Sequence, residues 1–367
     1  MLDNDLLHLV FLHSAWLTHN DLKSLFSTQD IFDPVGLWDS LISWQTDIAI
    51  SEDRKQKILE KSKKIETEKI RMLLETKDIQ IITWFDLSYP ERLKTISHAP
   101  FFLYVRGHLC TDRPLIGIVG SRKSTPYAEK ILEKIIPDTI LAGVWIVSGG
   151  ATGVDSIAHH ITLKHDGYTI AVFGTGMDRC YPAGNKSLFE KIIEKGGAVI
   201  SHFPLGTWPE VYNFPIRNEI VAAISNGTLI PEAALSSGTL ITAQLALEHG
   251  RDVFAVPWDI DRVTSEGTNM LIATGQAKCV RCSWDILEEY FDVASIGAGM
   301  TPIVKIPPTF ENDIEKILYE AIENGKNSVD TLMHTTGFSM TDILTNLAMM
   351  EIRGHITLDQ MGKYMSK

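Results

Sequence analysis

Apolar and polar positions change their rhythm three times along the chain. From Leu2 to about Glu75 the apolar residues Leu6, Leu9, Val10 and Leu17 sit in short helical stretches, and in the charged run SEDRKQKILEKSKKIETEKIRMLLE the residues Ile58, Ile65, Ile70 and Leu73 form one stripe. A solvated helix face over one buried stripe explains that run better than a DNA-binding arm, because its charges are of both signs. Between about Ile79 and Phe291 short β-branched runs appear: LIGIV (115–119), VWIVS (144–148), YTIAVF (168–173), AVIS (198–201), TLI (228–230) and DVFAV (252–256). They alternate with stretches long enough for crossover helices, such as YAEKILEKII and ITAQLALEHG. The alternation predicts an α/β domain, a mostly parallel sheet with helices on both faces, and places any ligand site at the carboxyl ends of the strands. Pro137, late in the first of these helical stretches, is expected to end or kink it.

The segment IGAGMTPIVKIPP (296–308) has little periodicity and three prolines, as a linker would. After it, Ile314, Ile317, Leu318 and Ile322 make an amphipathic helix, and the remainder reads helix, turn, helix and a short hairpin, the order of a small winged-helix module. Its second helix, SMTDILTNLAMME, contains no Lys or Arg, and residues 311–367 hold nine acidic against five basic side chains. A helix that enters a major groove needs basic and amide groups. The module is therefore expected to contact protein, or to pack, rather than to read duplex DNA. The divisions are 1–78 (helical), 79–295 (α/β), 296–309 (linker) and 310–367 (winged helix).

Composition narrows the classes. The 367 residues are 44% apolar and 22% charged, ordinary globular usage, and carry a net charge of −12. An acidic total excludes a general nucleic-acid coat and leaves room for a small basic groove. No apolar run reaches the ~18 residues of a membrane span, and the acidic start MLDNDLLHLV lacks the basic region of a secretory signal, so a cytoplasmic protein is expected. Four cysteines are too few for a disulfide framework. Cys279 and Cys282 form one C-x-x-C without a second pair and read as core residues.

Five loops carry candidate chemistry. GIVGSRKSTPY ends a strand at Gly120, Ser121 and Arg122 just before a helix, and offers backbone N–H groups and a guanidinium fork to an anion. SGGATGVD repeats the device with Gly149 and Gly150, and Asp155 there reads as a helix N-cap. The neighbours His159 and His160 cannot share a helix face as metal ligands would, so a core or capping role fits them. FGTGMDRCYPAGNKSLF presents Asn185, Lys186 and, one turn on, Phe189. A cation and a ring three residues apart can face outward together as single-stranded nucleic acid requires; the alternative is a solvated Lys over a core Phe. NFPIRNEIVAAIS opens a helix with Arg217 and Asn218, and Ser237, Gly238 and Thr239 open another after Glu232. Each loop alone is compatible with ordinary capping, whereas five at one sheet edge point to an anion site.

A reaction centre is missing from these loops. No P-loop, H-E-x-x-H or G-x-S-x-G occurs, and the absence of G-x-G-x-x-G at the first loop disfavours a nicotinamide or flavin enzyme, so no cofactor and no metal are expected.

The segments GIVGSR, SGGATGVDSIAHH, TIAVFGTGMDRCYPAGN, NFPIRNEIVAAIS, SSGTLITAQLALEHGRDVFAVP and GTNMLIATG resemble the DNA-processing protein DprA (Smf) family, and LSYPERLKTISHAPFFLYVRG resembles its lead-in. The resemblance runs from about Asp86 to Leu287, and residues 1–75 resemble the family's small SAM-like helical domain loosely. It implies an extended Rossmann-like domain that binds single-stranded DNA, forms a homodimer and loads the recombinase RecA during natural transformation, without catalysis. Carried over, Ser121 and Arg122 would hold one phosphate, Lys186 a second, Phe189 would stack on a base, and Arg217 and Asn218 would line the groove. Four positions depart from the family's usual pattern: Glu219 in place of an arginine, His202 of a glutamate, Trp258 of a glycine, and Pro231 before Glu232. An alternative from another class is a nucleotide-processing hydrolase of related fold with Glu232 as its acid; a third is a nucleotide sensor whose output is the tail.

Overall fold

Strands covered on both faces are apolar without interruption, and the chain's centre supplies such runs. The computed structural model describes residues 4–15, 17–27, 33–43, 51–291, 310, 312–323, 326, 328–353, 355–358 and 364–366. The linker expected at 296–309 lies outside the described residues. Met1–Ser295 makes one compact unit and Ile296–Lys367 a second.

The first unit begins with five helices, α1 (Asn4–Ser14), α2 (His19–Ser27), α3 (Pro34–Ser43), α4 (Glu52–Ser62) and α5 (Thr67–Thr76). The charged run is thus two helices, and the apolar residues it buries fully are Ile58 and Leu74, with Ile65, Ile70 and Leu73 only partly buried. There follow β1 (Gln80–Thr83), α6 (Glu91–Lys94), β2 (Phe102–Gly107), β3 (Leu115–Ile118), α7 (Pro126–Leu141), β4 (Trp145–Ser148), α8 (Val154–Lys164), β5 (Thr169–Val172), α9 (Lys186–Glu194), β6 (Ala198–Ser201) and α10 (Asn213–Ile224). The unit closes with β7 (Gly227–Ile230), α11 (Thr239–Glu248), β8 (Asp252–Ala255), α12 (Glu266–Ala273), β9 (Lys278–Cys279) and α13 (Trp284–Leu287).

These strands form one sheet in the order β1-β2-β6-β5-β4-β3-β7-β8-β9, antiparallel at β1–β2 and β2–β6 and parallel elsewhere. All six expected strands are present. The α/β expectation holds, with β1, β2 and β9 added at the edges. Side chains alternate along each strand. In β5, Ile170 and Val172 join the core beneath α10 and α11, whereas Ala171 and the following Phe173 join the core beneath α1 and α9. Leu7, Leu9 and Leu12 of α1 share that second core with Phe102 and Tyr104 of β2, so the helices before residue 78 and the sheet after it bury one another. Each such side chain contributes about 1.5–3 kcal/mol when fully buried.

Pro137 does not end α7, which continues to Leu141. The ring removes the hydrogen bond to the Glu133 carbonyl on a face where Glu133 is exposed, and Thr139 Oγ1 donates to Ile136 O at 2.7 Å on the next turn.

The second unit contains α14 (Asp313–Glu323), α15 (Val329–Thr336), α16 (Met340–Ile352) and an antiparallel hairpin of β10 (Ile356–Leu358) and β11 (Tyr364–Ser366), the expected order of elements. Leu318, Ile322, Leu332, Ile343 and Leu347 fill its core. Buried Glu315 accepts from Arg353 Nη1 at 3.0 and 3.1 Å. No described helix is long and apolar enough to cross a membrane.

Candidate nucleic-acid interface

Chain order reverses between β3 and β7, and the loops that leave their carboxyl ends diverge there to open a crevice. Glu232 spans it. Its fully buried carboxylate accepts the Thr125 N–H at 3.0 Å and the Thr125 hydroxyl at 2.6 Å, and Thr125 in turn caps α7 by accepting the Ala128 N–H. The first and fifth loops are locked together by this contact.

Beside the crevice, Arg217 is buried at the start of α10. Its Nη1 donates to the Gly149 carbonyl and, at 2.7 Å, to that of Val172, while Nε donates to Asn218 Oδ1 at 2.9 Å. Only glycine admits this approach, since a Cβ on residue 149 would lie 2.5 Å from Arg217 Cζ. Burial lowers the guanidinium to about 10 against the raising influence of Asp155, so it stays cationic at neutral pH. Asp155 is buried too, and burial raises its carboxyl above the ordinary range despite the pull of Arg217. It is not the N-cap the sequence led us to expect. Gly153 occupies that position at φ +80°, where any Cβ would collide with the Ser121 carbonyl, and Asp155 sits inside the first turn accepting the Ala151 N–H at 3.3 Å.

These parts enclose a cavity of about 580 Å³. Gly120, Ser121 and Arg122 line one wall, Arg217 and Asn218 a second, and Ser237, Gly238 and Thr239 a third. Ser121 Oγ both accepts from Lys123 N–H and donates to Lys123 O, which shapes the turn and leaves Arg122 exposed. Ser237 Oγ accepts the Thr239 N–H at 3.2 Å at the head of α11. A smaller cavity shares Arg122, Arg217 and Phe214 with the first and continues past Gly149 to Tyr181 and Pro182. At the junction the Arg122 guanidinium lies 4.6 Å over the Phe214 ring. Phe214 is a site residue that the sequence alone does not single out: in NFPIRN the charged pair after it is the stronger signal, and only the fold sets its ring against Arg122.

Phe189 requires a correction. The expectation that it faces outward with Lys186 fails, since its ring is 2% exposed and packs edge-on to Phe173 at 4.7 Å and over Gly150. Leu188, Phe189 and Ile192 form the inner stripe of α9, and the small Ala171 and Gly150 beneath leave a hole the ring fills. Lys186 is at the first position of α9 and keeps its amine outside both cavities. Asn185 ties that position to the second loop, donating from Nδ2 to Gly150 O at 3.0 Å and to Ala151 O at 3.3 Å. Gly150, Asn185, Lys186 and Phe189 thus stand around or under the cavities rather than lining them.

His159 is a core residue, its Nδ1 bonded to Thr169 Oγ1 at 2.8 Å and its pKa lowered by burial to about 3, and His160 is exposed. Cys279 and Cys282 are half-buried, short of the full burial expected. Among the departures, Glu219 turns to His249, with 3.3 Å between Oε1 and Nε2, and does not line the cavity. Trp258 stacks flat on Tyr127 with centroids 4.3 Å apart, and Arg262 lies 4.9 Å over it. His202 is buried, and its carbonyl accepts from His19 Nε2 at 2.8 Å.

The profile of the family described as DNA recombination-mediator protein A matches residues 80–291. The chain belongs to this family. Protein Smf of Synechocystis sp. is 32% identical over 321 residues, covering 78% of this chain and 80% of its own length. The X-ray structure of DNA processing protein A (DprA) from Streptococcus pneumoniae superposes with a TM-score of 0.68 at 32% identity, over 80% of this chain and all of that one. DNA processing protein A from Helicobacter pylori, whose structure concerns its single-stranded DNA binding mode, superposes with a TM-score of 0.53 at 29% identity over 59% of this chain and 99% of that one.

Proposed function

We propose that this member of the DNA recombination-mediator protein A family binds single-stranded DNA along the groove between β3 and β7, protects incoming DNA and loads the RecA recombinase during natural transformation, acting as a homodimer. The observation that carries the DNA reading is the Arg122–Phe214 stack at the junction of the two cavities. It pairs an exposed cation for phosphate with a ring for a base, the combination on which sequence-tolerant single-strand binding rests. Arg217 keeps its charge beneath that junction, and Lys186 adds a cation at the head of α9, next to the Asn185 that holds the second loop.

No catalysis is part of this function. The hydrolase alternative needs Glu232 as an acid, and both Glu232 oxygens are engaged by Thr125 outside the cavity lining. The second unit acts as a winged-helix module that contacts protein: α16 carries no basic residue and exposes Met340, Leu344 and Met349. Four free thiols fit a reducing compartment, the cytoplasm.

Competition of unlabelled duplex against a labelled single strand tests the proposal. Single strand should displace the probe at far lower concentration than duplex of the same sequence; equal displacement contradicts it.

A further inference from the structure

The loop after β6 holds a tryptophan in solvent. Trp208 is 62% exposed, yet its loop is braced: Asn213 Nδ2 donates to the Trp208 carbonyl at 3.1 Å, and Gly176 N–H donates to the Thr207 carbonyl at 3.1 Å. The Arg179 guanidinium lies 3.7 Å from the centre of the Trp208 ring. Arg179 is itself held, with Nε donating to the Gly206 carbonyl at 3.0 Å and ion-paired with Asp178 Oδ2 at 3.8 Å. A cation held over one face of an indole fixes the ring as a platform, and its exposed area is a surface on which a further flat π-system can lie.

Position supplies the occupant. The smaller cavity ends at Tyr181 and Pro182, two and three residues after Arg179, and Tyr181 is itself exposed with its ring 5.7 Å from that of Phe214. The Arg122–Phe214 pair is thus followed by the Tyr181 ring, and the chain that carries Tyr181 carries Arg179, with Trp208 against it, two residues earlier.

We infer that Trp208, backed by Arg179, is a second stacking subsite that takes an unpaired nucleobase of a strand leaving the Arg122–Phe214 junction. The inference rests on the single-strand reading above and extends it to a place that reading does not reach. Only strands long enough to run from the junction to the loop would use it, so its effect depends on strand length.

The test is fluorescence anisotropy of labelled oligothymidines of about six and about twenty nucleotides, with wild type, Arg122→Ala, Trp208→Ala and Trp208→Phe. Trp208→Ala should weaken the long strand by about tenfold, with an unchanged salt slope, and leave the short one alone. Trp208→Phe should restore most of the loss. If Arg122→Ala weakens both strands while Trp208→Ala binds both like wild type, the groove holds DNA and this subsite is wrong. If wild type binds neither strand, the reading beneath it fails and the subsite fails with it.

Discussion

Arg217 lies across the backbone of Gly149, with Nη1 shared between the carbonyls of Gly149 and Val172. One buried cation thereby joins the ends of β4 and β5 to the head of α10 and sets the floor of the groove. Gly149→Ala drives a methyl into that guanidinium and should cost about 1–3 kcal/mol, as overpacking does, together with weaker single-strand binding. Urea unfolding and anisotropy measure the two effects. Wild-type stability in the variant would show that Arg217 is not wedged against residue 149.

Phe189 offers a sharper discrimination. As a core ring between Phe173 and Gly150, its replacement by Ala should destabilise the first unit by about 3–5 kcal/mol. A surface ring used only for base stacking would lose affinity at unchanged stability. Denaturant midpoints and binding curves on the same preparation separate the two outcomes.

Acid should loosen the contact between the amino-terminal helices and the sheet. His19 accepts the Phe101 N–H at Nδ1 and donates to the His202 carbonyl from Nε2, so a second proton has no place without breaking the first bond. Burial lowers His19 from 6.5 to about 4 and His202 to about 3, and His13, packed against His19 at 4.4 Å between ring centroids, is lowered as well. The unfolded chain takes up these protons near 6.5 and the folded one resists them. Stability is therefore full above about 6.5 and falls as pH drops towards about 4. Urea midpoints should decline between about pH 7 and about pH 5, and His19→Gln, which keeps a donor and an acceptor without titrating, should decline less. Parallel declines in both proteins would remove His19 from the account.

The central strands were legible because parallel strands buried on both sides leave apolar runs, as LIGIV and AVIS do. β2 was not, since it closes on Arg106 and Gly107, and the Arg106 charge is met by Glu190 on α9 at 2.9 and 3.0 Å across 84 residues. A comparable distance in sequence hides Glu232 and Thr125. Helical spacing placed Lys186 and Phe189 near each other but could not say which faces water, because that depends on Ala171 and Gly150 beneath the ring. Arg122 and Arg217 do stand at the cavity as their loops suggest, whereas the aromatic residue that lines it is the half-buried Phe214 and not Phe189.

The most direct test of the groove is the salt dependence of single-strand binding in wild type, Arg122→Ala and Lys186→Ala. Removing one cation that neutralises a phosphate should lower the slope of log affinity against log salt by roughly 0.7. The account predicts weaker binding with a shallower slope in both variants and a larger effect for Arg122, which also forfeits its place over Phe214. Variants that bind like wild type, with the same slope, would contradict it.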